Sequence, residues 1–195
     1  LPRGHTIQVE LKRSARDMDG NRLSIRWRFE TKAPRVAPAA AGTSAPPSGP
    51  APRTGGSNAP AGTLEYALWL INQSRADYGF GPLRLDSAIS QVAADHAWDQ
   101  IRYNYFSHTG RDGSRVSDRL RRAGISFGWS GENMCYYNGM GVRAMLDWCH
   151  RTFMSEPYPG VANHIGNILS GHYTRVGVGI AQSGGKVIIV WDFAG

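Results

Sequence analysis

No stretch of the 195 residues approaches the roughly 18 consecutive apolar side chains that a membrane-spanning helix needs, so the sequence predicts no bilayer crossing. Only two cysteines are present, Cys135 and Cys149, and no Cys-x-x-Cys pair exists, which argues against a thiolate zinc site. The two could bridge each other and close a small loop, worth about 3 kcal/mol in the chain-entropy model. Two thiols alone do not fix the redox compartment. Internal repeats are absent. A charged-then-apolar leader is also missing, and the first residue is Leu1, so we read a processed or trimmed chain from which any export signal has gone.

Acidic and basic residues are unevenly spread over a net charge of +7. Residues 1–32 hold eight Lys/Arg against four Asp/Glu, whereas residues 63–195 hold twelve against eleven. A nucleic-acid reader would carry its basic stripe on the folded domain, and this one is nearly neutral, so no nucleic-acid partner is expected. Its one local patch, Arg115, Arg119, Arg121 and Arg122, is read as the solvated face of a helix.

What is present divides into three parts. In residues 1–32, Ile7, Val9 and Leu11 alternate with polar residues, and so do Leu23, Ile25, Trp27 and Phe29, on either side of a turn-rich Asp17-Met18-Asp19-Gly20-Asn21. Period-two patterning about such a turn predicts a β-hairpin. A lone hairpin is marginal in water, so its apolar face belongs to an upstream domain or to the main one. Residues 33–62 are almost entirely Ala, Pro, Gly, Ser and Thr and predict a disordered tether. Residues 63–195 alternate helices with a few strands.

Within that last part, Leu64, Ala67, Leu68 and Ile71 recur at helical spacing before Gly79-Phe80-Gly81-Pro82. Asp86 is placed to cap a second helix, whose Ile89, Val92, Ala93, His96 and Ala97 share a face. A short helix is expected from about Ser114 to Gly124, a strand over 132–136, and a helix over 142–153. A closing hairpin is expected from 174–182 and 186–193 about Ser183-Gly184-Gly185. Helices before and between antiparallel strands indicate an α+β layered domain.

Four segments, in this order, carry a resemblance: LINQSRADYGFGPLRLD at 70–86, YFSHTGRDGS at 105–114, Gly131-Glu132-Asn133, and HIGNIL at 164–169 followed by Val176-Gly177-Val178-Gly179. Together they resemble the CAP superfamily of cysteine-rich secretory, antigen-five and plant pathogenesis-related proteins, in its bacterial SCP-like branch. The resemblance covers about 130 residues and leaves out 1–62. It implies a three-layer α-β-α sandwich with a central antiparallel sheet, and an extracellular or cell-surface location.

It also implies a cleft where two histidines and two carboxylates converge. Carried over by position, these are His108, Glu132, Glu156 and His164, with Ser107 and Asn133 shaping the cleft. Glu156 closes Phe153-Met154-Ser155-Glu156 where eukaryotic members have a W-x-x-E pattern, with Phe in place of Trp. His172, in Gly171-His172-Tyr173, imitates another family signature. His164 is preferred because it lies twelve residues before Val176, where the family's cleft histidine falls, while His172 lies four before it.

Two imidazoles with carboxylates suit a divalent ion, zinc first, bound at His108 and His164 with a position left for water. The same set also suits a polar cleft held by a His/Glu hydrogen-bond network. A metal-dependent hydrolase of esters or peptides is the alternative, with Glu132 or Glu156 as general base. No oxyanion hole is identifiable, and Ser107 beside His108 is poorly placed to be its nucleophile. A small ligand, a lipid or sterol, or an extracellular protein are the partners considered, for a domain expected to be a monomer. His96 is expected to be a satisfied core histidine, and His5 and His150 to face solvent. Trp69, Trp98, Trp148 and Trp191 are expected in the core or at its rim, and Asn133 on local backbone.

Overall fold

The computed structural model describes residues 6–10, 26–30, 61–159 and 163–195. Contacts divide the chain into two units, Leu1–Pro46 and Pro47–Gly195. In the first, β1 (Thr6–Glu10) pairs antiparallel with β2 (Arg26–Glu30), with Ile7 opposite Phe29 and Val9 opposite Trp27. The two strands fall on the two alternating segments. The turn at 17–21, His5 and the tether at 33–60 lie outside the described residues.

In the second unit, α1 (Thr63–Asp77) stops before Gly79, whose φ of +78° suits a residue without a Cβ. Its buried stripe is Tyr66, Ala67, Leu70, Ile71, Ser74 and Arg75, so Leu64 and Leu68 sit at the edge of the face rather than at its centre. After β3 (Arg84–Leu85), Asp86 accepts from the backbone N–H groups of Ala88 and Ile89 at 3.0 and 3.1 Å and starts α2 (Ser87–Arg102). Next come α3 (Val116–Arg122), β4 (Ser130–Asn138), α4 (Val142–Met154) and α5 (His164–Ile168). The chain closes with β5 (Arg175–Ser183) and β6 (Lys186–Ala194), joined at Gly184-Gly185, both with positive φ as a two-residue hairpin turn requires.

The sheet order is β3-β5-β6-β4, with β4–β6 and β6–β5 antiparallel. The exception to the expected antiparallel sheet is the two-residue parallel pairing of β3 with β5. Strand β6 is buried on both faces, which is why residues 187–191 form an unbroken apolar run. Its odd-numbered residues Val187, Ile189, Trp191 and Phe193 pack with α1, α4 and α5, while Ile188, Val190 and Ala194 pack beneath α2 and α3. The alternation is the three-layer α-β-α sandwich.

One disulfide, Cys135–Cys149, ties β4 to α4 on the first of these faces. On the second, Gly177 and Gly179 of β5 lie so close to α2 that a Cβ would overlap the backbone of Ile89 and Ala93. On these elements His150 and Arg119 depart from expectation. His150 is buried and shares a 2.8 Å hydrogen bond with Ser74 Oγ instead of facing solvent, and Arg119 turns inward rather than lying on a solvated face.

Candidate functional site

Neighbouring side chains on a strand leave it on opposite faces, and the Gly131-Glu132-Asn133 segment of β4 uses both. Glu132 points towards α2 and α3. Its side chain is 3% exposed, and its Oε1 lies 2.7 Å from Nδ1 of His108, in the loop between those helices. A carboxylate can only accept, so Nδ1 carries the hydrogen, which leaves Nε2 as the nitrogen that can present a lone pair. Oε2 of Glu132 receives the guanidinium of Arg119 from α3. Arg119 also donates to the carbonyls of Ser114 and His108, at 3.0 and 3.3 Å, which pins the His108 loop to α3.

His96 of α2 completes this side. Its Nε2 donates to the Ser107 carbonyl at 3.0 Å and lies 3.9 Å from Glu132 Oε2. It is the satisfied core histidine expected, placed against the site. Burial, then the Arg119 charge, hold its pKa below the ordinary value. Ser107 shapes the loop through its backbone N–H, donated to Gln100 Oε1 at 3.0 Å, and its Oγ, which accepts from the N–H of Thr109 at 3.1 Å. Burial opposes ionisation of Glu132, but the His108 hydrogen bond and the Arg119 charge more than offset it, and its pKa lies below the ordinary glutamate value.

Asn133 points the other way. Its amide donates to the His164 carbonyl at 3.0 Å, a contact across 31 residues and not the local one expected. Asn167 of α5 donates to Asn133 Oδ1 at 2.8 Å and to the Glu132 carbonyl at 3.2 Å, so α5 is moored along β4. Helix α5 is capped by Asn163, whose side chain accepts from the Gly166 N–H at 3.0 Å. Glu156, just beyond α4, holds the same end. One oxygen accepts from the backbone N–H groups of His164 and Ile165 at 2.7 and 3.2 Å, and the other lies 2.5 Å from His164 Nδ1. The His164 ring stacks on Phe153 at 4.3 Å between centroids, the contact made by the Phe that replaces the eukaryotic Trp.

The four expected residues form two carboxylate–histidine pairs, His108–Glu132 and His164–Glu156, reached from opposite faces of β4, with Asn133 and Asn167 between them, in place of the single convergence that the resemblance implies. In both pairs Nδ1 is engaged, and the imidazoles are 59% and 36% exposed at their side chains. Among the described residues, no three His, Cys, Asp or Glu side chains gather as a metal cage. A cavity of about 400 Å³ adjoins the Glu132 side of the site through His96 and Arg119, between α2 and the 110–114 loop, with Asp95, Asp99 and Arg111 among its other lining residues.

Two members of the Glu132 cluster were not singled out as site residues in the sequence. Arg119 lies three residues after Val116 and one before Leu120, the two apolar residues of α3, so helical spacing places it on the inward face. Asp192 lies in β6, directly opposite Glu132 in the β4–β6 register, and is 0% exposed. Its signal is a lone acid within the apolar strand Val-Ile-Ile-Val-Trp-Asp-Phe-Ala.

Comparison with known proteins agrees with this architecture. The model of CAP, the cysteine-rich secretory protein family, matches residues 68–193. Two Bacillus subtilis proteins are similar: the uncharacterized membrane protein YlbC, 32% identical over 58% of this chain and 30% of its own length, and the uncharacterized protein YkwD, 30% identical over 59% of this chain and 41% of its own. The chain thus spans less than half the length of either relative. A crystal structure of an extracellular protein containing a SCP domain from Bacillus anthracis aligns with a TM-score of 0.54 at 26% identity, covering 68% of this chain and 40% of that one.

Proposed function

The chain belongs to the CAP, or cysteine-rich secretory protein, family, and on that premise we propose that it is an extracellular or cell-surface binding domain that takes a divalent ion, zinc first, or a small ligand, on Nε2 of His108 and His164. The observation that carries this reading is the matched state of the two rings. Each Nδ1–H is tied to its own carboxylate, at 2.7 Å for Glu132 and 2.5 Å for Glu156. A carboxylate behind an imidazole fixes the tautomer and raises the basicity of the remaining nitrogen, the arrangement that supports metal-bound histidines.

The donor set fits a borderline ion. Two neutral imidazoles are suitable first partners for zinc, with water completing the coordination. The carboxylates are engaged as orienting groups, and Glu132 is further held by Arg119, so binding is favoured over a role for Glu132 as a mobile general base. A bound ion would supply Lewis acidity. The residues themselves supply orientation and two fixed lone pairs.

The test is zinc titration of metal-free protein by calorimetry at pH 7.5, with His108→Ala and His164→Ala alongside. The reading expects saturable one-to-one binding, at least tenfold weaker in each variant. Equal binding by wild type and the double variant removes it.

A further inference from the structure

Among the described residues, the buried side-chain polar atoms without a hydrogen-bond partner are Arg119 Nε and both carboxyl oxygens of Asp192. All three belong to groups that adjoin Glu132. Arg119 grips its Oε2, and Asp192 faces it across the β4–β6 ladder. Orphaned buried polar atoms are rare in folded proteins, and three around one carboxylate require a physical account.

The strands leave Asp192 few options. On one side its cross-strand partner is Glu132, itself an acceptor. On the other side it is Gly177 of β5, which has no side chain to donate. The other charged or titratable groups of the cluster are Arg119 from α3, whose Nη2 goes to Glu132 and whose unpaired Nε makes no hydrogen bond to Asp192, His96 from α2, whose Nε2–H goes to the Ser107 carbonyl, and His108, whose Nδ1–H goes to Glu132. An ionised Asp192 would be a fully buried anion without a donor, beside a second anion. Isolated buried carboxylates avoid so large a penalty by taking up a proton. Once protonated, Asp192 gains the donor it lacks, and the acceptor stands opposite.

We propose that Asp192 is a positioning residue of the His108 pair: a neutral carboxylic acid that donates its O–H to Glu132 and fixes the carboxylate that aims the imidazole. The electrostatics run the same way. Burial, then the Glu132 charge, push the Asp192 pKa well above the ordinary aspartate value, with Arg119 pulling only partly back. The proton resides on Asp192 and the charge on Glu132, so two neighbouring carboxyl groups act as one anion with one assigned direction. What His108 binds belongs to the reading above. The acid pair is independent of it and is tested without metal.

The experiment uses the metal-free chain labelled with ¹³C at Asp and Glu carboxyls and with ¹⁵N at His. In wild type, the Asp192 ¹³Cγ resonance is expected to stay at the carboxylic-acid position from pH 5 to 8, with an H/D isotope shift, while Glu132 stays at the carboxylate position. In Asp192→Asn the amide N–H replaces the O–H, and His108 keeps its Nδ1–H tautomer. In Asp192→Val the donor is lost, and the His108 tautomers shift towards Nε2–H. A carboxylate resonance for Asp192 anywhere between pH 6 and 8 overturns the proposal, as does an Asn variant whose tautomers follow the Val variant. Where a variant does not fold, the wild-type resonance decides.

Discussion

Glu132 and Asn133 are consecutive in β4, yet one side chain reaches the Arg119 guanidinium of α3 and the other the His164 carbonyl of α5. A single pleat thus addresses both carboxylate–histidine pairs, each from its own face of the sheet. The two pairs should be separable by mutation. Asn133→Ala leaves the His164 carbonyl and Asn167 amide short of a partner, at a cost of about 1–3 kcal/mol. Urea unfolding should show that loss, and zinc affinity should fall with it as α5 loosens. The His108 Nδ1–H tautomer, read by ¹⁵N shifts, should not move. A tautomer change at His108 would mean that the pairs are coupled through more than Asn133.

Close approach of α2 to β5 sets a second expectation. A Cβ on Gly179 would meet the backbone of Ala93 and Ala94, not a flexible side-chain end, so neither element can give way locally. Gly179→Ala should destabilise by about 3 kcal/mol or more, towards the upper end for overpacking. Gly171→Ala, which meets only the edge of Phe80 at 3.9 Å, is the control and should change the urea midpoint little.

These cases show what sequence could and could not convey. The hairpin of β5 and β6, the Asp86 cap and the α2 face were legible because each rests on local periodicity or on one turn. The family resemblance and its spacing pointed to His108, Glu132, Glu156 and His164, which the structure joins as two hydrogen-bonded pairs. Arg119 was missed because four arginines in one short segment suggest a charged surface, while only Val116 and Leu120 reveal which side of α3 turns inward. Asp192 was missed because its meaning lies in the strand opposite: the register with Glu132 and Gly177 is a long-range fact. His150 was misplaced for a related reason, since its partner, Ser74, is 76 residues away.

His150 gives a pH prediction. Burial lowers its pKa from 6.5 to about 4. Above pH 6.5 neither folded nor unfolded chain holds the proton, and the group contributes no pH dependence. Between 6.5 and 4 the unfolded chain binds the proton and the folded one does not, so stability falls as pH falls. The loss levels off below about pH 4, at on the order of 3 kcal/mol. His150→Gln should flatten the dependence of unfolding free energy on pH in this window. An unchanged slope would show that His150 titrates alike in both states.

The disulfide anchors β4 to α4 near the start of the site. Cys135 and Cys149 are 14 residues apart and both buried. Replacing both with alanine should lower stability by about 3 kcal/mol through loop-closure entropy. Differential scanning calorimetry of that variant beside oxidised wild type checks this. Because Glu132 is held by β6 pairing and by Arg119, the His108 tautomer should survive the loss.

Glu156 joins structure to chemistry most tightly. One of its oxygens accepts from the backbone N–H groups of His164 and Ile165, and the other from the His164 ring. In Glu156→Gln the carbonyl oxygen can keep the backbone contacts and hold the start of α5. The amide nitrogen then faces Nδ1, and as a donor it requires a lone pair there, which moves the ring hydrogen to Nε2. The fold should persist, with a melting temperature close to wild type, while zinc affinity drops about 10–100-fold. Glu156→Ala should lose both. Calorimetric zinc titration with ¹⁵N tautomer measurement distinguishes the variants. If Glu156→Gln binds zinc as wild type does, His164 does not act through Nε2, and the two-imidazole reading loses one of its ligands.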